Sequence, residues 1–404
     1  MDATIEAGIR ERLASERERE GPAPEARKIP LIPVERYRDP AFFDLERKQI
    51  WKKKWLFVGH ESEWPEPGSY RLFEWSGSPI LIVRGKDDVL RAFYNACRHR
   101  GAPVVRGECG TAKLLTCQYH SWSYDTQGQL KAVPDQRNFC DQDSSELGLV
   151  PVRLEIWDGW VFVNEDEAAE PLFDYLGPLT DQMKEMNGPD MRLVGTQLHK
   201  LPANWKLMVD AFLEVYHIRT VHPDNAALLY DDRQLTVTML PNGHSRLTVA
   251  KHDGMADLLA PPPHADNPAI GQLWRDTSTS FGVFPNLVVP MDAGAFTFLC
   301  MWPDGLTDTN LELRWYAPSW GEGDPPQEHL DKLTLFETVM AQDTANMGPI
   351  QESVVSPGAR PFQIGWHERL IHHFQRAVDL AIGPDLVPPG YGVSDELDDL
   401  VEQQ

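Results

Sequence analysis

Two short runs restrict what this 404-residue chain can fold into more than any other feature. In "CRHRG" one residue separates Cys97 from His99, and in "TCQYHSW" two residues separate Cys117 from His120, with seventeen residues between the pairs. Each pair follows a β-type run and falls where a turn is expected. Four metal-capable side chains can therefore close on one centre from two loops, leaving the strands that carry them undisturbed.

Two kinds of centre compete for such a set. A structural zinc would take all four ligands in one tetrahedron. A Rieske-type 2Fe-2S cluster divides them, two thiolates on one iron and two imidazoles on the other, which raises its potential above that of an all-cysteine cluster. The mixed order within each pair favours the cluster, because each loop then supplies one ligand to each iron. Trp122, two residues beyond His120, is placed to shield it.

A second constellation lies in "NWKLMVDAFLEVYHIRTVHP". Asp210, Glu214 and His217 fall at i, i+4 and i+7, one polar line on a predicted helix with Trp205, Leu207, Met208, Phe212 and Leu213 on its other positions. A helix apolar almost all round is buried, so its polar line is expected to face a site, with Asp210 and Glu214 as candidate catalytic carboxylates. His222 lies about 140° round a regular helix from His217. Pro223 biases His222 out of helical geometry, which lets the second imidazole turn back.

Two histidines and one carboxylate with open positions form the facial triad of non-haem Fe(II) oxygenases. In "HLDKLTLFETVMAQDTANMGP" Asp343 shares a predicted helical face with Phe336, Val339 and Met340, while Glu337 points away and Gly348-Pro349 is expected to end the helix. A carboxylate on an apolar stripe needs a partner, and a metal ion is one.

Composition narrows the partners. Apolar residues at 42% and charged residues at 25% are those of a folded globular protein, and the length favours two domains. A formal net charge of −23 repels polyphosphate and anionic lipid, so neither nucleic acid nor membrane is expected as the main partner. The charged opening "MDATIEAGIRERLASERERE" has no apolar stretch of signal-peptide length, and a cytoplasmic protein is expected. Five cysteines (Cys97, Cys109, Cys117, Cys140, Cys300) are an odd number and too few for a disulfide scaffold.

Short strands with turn signals between "LFVGHESEW" and "GWVFVN" mark an all-β domain over residues 45–165, after an N-terminal helical arm over 1–44. Residues 166–404 mix helices with antiparallel strands, "FGVFPNLVVPM", "AFTFLCMW" and "NLELRWYAP" among them, so the fold class is α+β. "AALLY" and the first two of these strands are mostly apolar and form the expected substrate lining.

At these motifs the sequence resembles the large (alpha) subunit of the Rieske non-haem iron ring-hydroxylating oxygenases. That family carries a Cys-x-His-Arg-Gly loop, a Cys-x-Tyr-His-x-Trp loop, a helix like that of residues 204–222 and, later, an Asp shortly before Asn-Met and a following Gln. Asp343, Asn346, Met347 and Gln351 match the last pattern. The resemblance spans roughly residues 40–380. It implies an N-terminal all-β Rieske (ISP-like) domain holding 2Fe-2S on Cys97, His99, Cys117 and His120. It also implies a C-terminal catalytic domain, a curved antiparallel sheet flanked by helices, holding mononuclear Fe(II) on His217, His222 and Asp343.

The resemblance further implies O2 as co-substrate and electrons from NAD(P)H through a ferredoxin or flavin reductase. It implies a head-to-tail homotrimer, with or without a beta subunit, that hydroxylates or oxidatively demethylates a hydrophobic, aromatic small molecule. In this family an acidic residue three before the first iron histidine links that histidine to a cluster histidine of the neighbouring subunit, and Glu214 holds that position. Many ring dioxygenases have Asp there, whereas Glu occurs among relatives that oxidise quaternary amines and other substrates, so the family alone does not fix the substrate and an oxygenase acting on a quaternary amine is an alternative. Arg98, Arg100, Arg106 and Lys113 surround the cluster loops and offer an acidic electron donor a docking surface. Two rival readings are a Rieske electron carrier fused to a metabolite-binding domain and a zinc-stapled binding protein.

Overall fold

Residues 51–172 form one unit by their contacts, and residues 1–50 with 173–404 form a second. The computed structural model describes residues 1–139, 143–261, 266–292, 295–321 and 323–402. Cys140 lies outside the described residues.

In the first unit short apolar runs become strands β1 (Leu56–His60), β2 (Ser69–Phe73), β3 (Ile80–Arg84), β4 (Leu90–Tyr94) and β5 (Cys109–Thr111). A smaller set follows, β6 (Leu115–Thr116), β7 (Ser123–Tyr124) and β8 (Leu130–Ala132), then β9 (Pro151–Trp157) and β10 (Trp160–Asn164). The main sheet has the order β1-β10-β9-β4-β3-β2-β5, and β6-β7-β8 form a separate sheet. All the pairings are antiparallel. The end of β4 delivers Cys97, and the β6–β7 hairpin delivers Cys117 and His120. Leu81, Val83, Phe93, Val104, Leu115 and Trp122 pack with the two cysteines in one buried cluster.

In the second unit the charged opening is the helix α1 (Ala3–Glu18). Its Ile9 and Leu13 are buried against Leu273, a contribution of about 1.5–3 kcal/mol for each side chain. Helix α2 (Pro40–Gln49) starts where the Asp39 side chain accepts the Ala41 and Phe42 N–H groups, with Pro40 in its first turn. Strand β11 (Met191–Leu201) leads to helix α3 (Trp205–Phe212) and the short helix α4 (Ile218–Val221). Strands β12 (Tyr230–Met239), β13 (Ser245–Lys251), β14 (Thr277–Val283), β15 (Leu287–Asp292), β16 (Ala295–Pro303) and β17 (Thr309–Pro318) follow. Helices α5 (Gln327–Thr344), α6 (Met347–Val355) and α7 (Arg369–Ile382) come last.

The curled sheet has the order β11-β17-β16-β15-β14-β13-β12. Consecutive strand residues point to opposite faces, yet Phe298, Leu299, Cys300, Met301 and Trp302 are all buried. Both faces of β16 are therefore covered, which its unbroken apolar run requires. Among the described residues no helix is long and apolar enough to cross a membrane.

Three local expectations are corrected. Residues 204–222 are not one helix, because the chain leaves α3 at Leu213 and re-enters helix only at Ile218. "FGVFPNLVVPM" is two strands joined through Phe284-Pro285-Asn286. Gly348-Pro349 ends nothing: α5 stops at Thr344, and Pro349 sits in the first turn of α6, where a missing N–H is tolerated.

Candidate metal centres

The two cluster loops are built alike. The Cys97 N–H donates to the Ala102 carbonyl and the Cys97 carbonyl accepts from Gly101, both at 2.8 Å. The Cys117 N–H donates to the Trp122 carbonyl and its carbonyl accepts from Ser121, both at 2.9 Å. Each loop closes through a left-handed residue, Gly101 at φ 74° and Ser121 at φ 60°. Glycine takes that conformation freely, whereas a serine does so at a cost.

The side chains sort by type. Cys97 and Cys117 are buried, and burial and the neighbouring Cys117 push the Cys97 thiol up against an opposing contact from Tyr124. The Nδ1 atoms of His99 and His120 face each other at 3.2 Å. Two nitrogens on one tetrahedral ion with bonds near 2.1 Å would lie about 3.4 Å apart, so the imidazole pair fits a single iron. The two thiols neighbour each other as the two imidazoles do, the division by donor type that a cluster with one thiolate-bound and one imidazole-bound iron requires. The Trp122 ring stacks on His99 at 5.0 Å and 10°.

In the second unit His217, His222 and Asp343 bring their donor atoms within 4.8 Å of one another, a group able to hold one metal ion. His222 Nε2 lies 2.6 Å and His217 Nε2 3.5 Å from Asp343 Oδ1. The opposite ring nitrogens are engaged: His217 Nδ1 with Glu214 Oε1 at 2.5 Å and His222 Nδ1 with Gln342 Oε1 at 2.8 Å. Asn225 Nδ2 also donates to Gln342 Oε1, at 2.9 Å. Both partners are acceptors, so each Nδ1 carries the proton and each Nε2 lone pair is free for a metal.

Burial pushes both imidazoles down. Glu214 and Asp343 outweigh it at His217, and Asp343 and Gln342 at His222, so both stand above the ordinary value. The local field suits a cation.

Local chemistry explains how the histidines arrive there. The Glu214 carboxylate accepts the Tyr216 and His217 backbone N–H groups, which turns the chain where the apolar pattern alone would continue a helix. His222 leaves helical geometry at φ −122°, ψ 46°, as Pro223 predicts. Asp343 and Gln342 come from the last turns of α5. Gln351 accepts the Asn204 N–H at 2.7 Å, tying α6 to the start of α3.

Asp210 does not join this group. Because α3 ends at Phe212, Asp210 has no common face with Glu214 and His217. It is buried instead between the Tyr37 hydroxyl at 2.7 Å and Gln375 Nε2 at 2.9 Å. Sequence reasoning missed Gln342, Asn225 and Tyr124; none follows from periodicity, although Gln342 adjoins a candidate ligand.

Val209, Leu213, Gly282, Val283, Val288 and Phe374 surround a void of only ≈ 10 Å³. A cavity of ≈ 810 Å³ reaches His217, lined about equally by polar and apolar surface and bordered by Glu214, Tyr216, Arg219, Arg233 and Trp366.

The family model for the catalytic domain of ring hydroxylating alpha subunits matches residues 188–383, and that for the Rieske 2Fe-2S domain matches residues 54–153. The chain carries a Rieske 2Fe-2S domain and the catalytic domain of ring hydroxylating alpha subunits. It is similar to the carnitine monooxygenase oxygenase subunit of Escherichia coli (strain K12), 38% identical over 204 residues. That match covers 50% of this chain and 54% of the relative, so the chain spans about half the length of that protein. The corresponding subunit of Acinetobacter baumannii is 28% identical over 327 residues, 80% of this chain and 85% of the relative. A solved quaternary ammonium Rieske monooxygenase, described for carnitine oxidation and inter-subunit electron transfer, aligns with TM-score 0.76 and 25% identity over 87% of this chain and 95% of its own.

Proposed function

We propose that this chain is the oxygenase component of a multicomponent Rieske oxygenase, with an electron-carrying domain over residues 45–165 and a catalytic domain over 166–404. Cys97, His99, Cys117 and His120 hold 2Fe-2S, and His217, His222 and Asp343 hold one iron. One observation carries the reading: two thiols paired and two imidazoles paired in one unit, and a two-histidine, one-carboxylate group in the other. When bound, the cluster supplies electrons and the iron supplies O2 activation beside the substrate.

The chain's own residues prepare both places. Glu214 and Gln342 hold the Nδ1 protons and aim both Nε2 atoms at Asp343. Trp122 and the apolar core keep water from the buried thiols. Electrons come from NAD(P)H through a ferredoxin or flavin reductase in the cytoplasm. The subunits form a head-to-tail homotrimer in which Glu214 links His217 to a cluster histidine of the next copy.

For the substrate we favour a small quaternary amine over an aromatic hydrocarbon. Glu at position 214 and the relatives named for carnitine support that choice. The test has two parts. Metal analysis of the purified protein should give three irons per chain; two would fit an electron carrier, and zinc alone a binding protein. O2 consumption with a reductase should then be coupled to product from L-carnitine or γ-butyrobetaine. Turnover of biphenyl or naphthalene instead would reverse the substrate assignment.

A further inference from the structure

A buried polar cluster lies against α3, and no step above uses it. Lys206 and Asp210 stand one turn apart on the same side of that helix. The Lys206 ammonium is 2.5 Å from Glu46 Oε1, both fully buried, and sits 5.6, 5.7 and 5.4 Å from the rings of Tyr37, Phe42 and Trp205. Asp210 accepts from Tyr37 and Gln375, and Gln375 Oε1 accepts from Arg36 Nε at 3.0 Å. Arg36 in turn pairs with Asp379 at 2.5 Å.

The charges do not balance when all these groups ionise. Arg36 and Lys206 are matched by Asp379 and Glu46, their direct partners. An ionised Asp210 is a third buried carboxylate with two hydrogen-bond donors and, among the described residues, no cation paired with it directly, and such a group readily takes up a proton.

We propose that Asp210 is a positioning residue controlled by its own proton: ionised, it clamps the last turn of α3 between Tyr37 and Gln375, and so sets how Glu214 meets His217. The inference rests on reading His217 as an iron ligand. The path is short. The Asp210 carbonyl accepts the Leu213 N–H at 3.2 Å, where the helix ends. The next residue is Glu214, whose carboxylate holds the His217 ring at 2.5 Å. Hydrogen bonds to an ionised acceptor are roughly twice as strong as neutral ones, so protonation loosens the clamp.

Every element packed against Asp210 contributes a facing group. Arg36 and Tyr37 come from the turn Val34–Tyr37, Glu46 from α2, Lys206 from α3, and Gln375 and Asp379 from α7. Burial pushes Asp210 up to about 7, although Tyr37, Gln375, Lys206 and Arg36 pull it down. Burial also holds Tyr37 well above its usual range, so its hydroxyl stays a donor throughout. The clamp therefore tightens as pH rises through neutrality.

The test uses the iron-loaded full chain, with nitric oxide as the probe of the ferrous site and its EPR spectrum followed between about pH 6 and pH 8. Wild type should show two interchanging forms with a midpoint near 7. Asp210→Asn should keep the low-pH form at every pH. Tyr37→Phe should move the midpoint up by about one pH unit, because one donor to the carboxylate is lost. A wild-type spectrum that ignores pH, or a midpoint that Tyr37→Phe leaves in place, overturns this inference and leaves the iron-site reading standing. Absence of any nitrosyl signal from the loaded protein overturns both.

Discussion

The Tyr124 hydroxyl lies 3.3 Å from Cys97 Sγ while its oxygen accepts the Arg98 backbone N–H at 3.0 Å. Its own proton is therefore directed at the sulfur. A hydrogen bond to a cluster thiolate stabilises the reduced, more negative state more than the oxidised one. Tyr124→Phe should lower the cluster potential by on the order of 50 mV, taking about 1 kcal/mol for the bond and about 59 mV per tenfold for one electron. Voltammetry reads this directly, and an unmoved potential would remove the tyrosine from redox tuning.

Replacing His99 or His120 by Cys adds a thiolate to the iron that the imidazole pair would hold. The potential should fall further and turnover should stop, while the 2Fe-2S absorption persists. Full activity with the natural electron donor would contradict the cluster assignment.

Glu214→Gln keeps an acceptor for His217 Nδ1 but removes the charge. We expect iron content and assembly to be retained and product formation to drop by about tenfold to a hundredfold, the usual effect of losing a partner behind a metal ligand. Single-turnover experiments on pre-reduced protein decide the matter; product formed at the wild-type rate would take Glu214 off the electron path.

Arg98, Arg100, Arg106 and Lys113 are all exposed around the cluster loops, in a chain of net charge −23. Reduction by an acidic donor should slow as salt rises from 0.1 M, where the Debye length is about 10 Å, towards 1 M, where it is about 3 Å. Stopped-flow rates independent of salt would place the docking surface elsewhere.

Gly243 has φ +78°, and a Cβ there would lie 2.3 Å from the Ala377 Cβ on α7. Gly243→Ala should cost about 2–4 kcal/mol, combining left-handed strain with overpacking. Denaturant unfolding followed by tryptophan fluorescence measures this, and an unchanged midpoint would mean that α7 yields without penalty.

The parts of the fold legible in the sequence are those fixed by neighbours along the chain. Cys97 and Cys117 each close a six-residue turn of their own, so their loops announce themselves. Asp343 stands out because a carboxylate on an apolar stripe is anomalous. The break after Phe212 was not legible, because apolar spacing continues through Leu213 and only the Glu214 side chain, bonding to the backbone just ahead, turns the chain. Asp210 was misplaced for a different reason: its partners Tyr37 and Gln375 lie 173 and 165 positions away, and no local pattern encodes a contact at that distance.

The same separation has a consequence for biosynthesis. Arg36 and Gln375 are 339 positions apart, so at about 5–20 residues per second the opening segment leaves the ribosome roughly 20–70 s before its partners exist. Residues 51–172 are contiguous and can complete their own contacts in that interval, whereas Tyr37, Phe42 and Glu46 must wait. Limited proteolysis of stalled nascent chains should show the cluster-bearing unit protected first and residues 34–37 still cleavable until α7 has emerged. A stretch of polypeptide made early is then among the last to be sheltered.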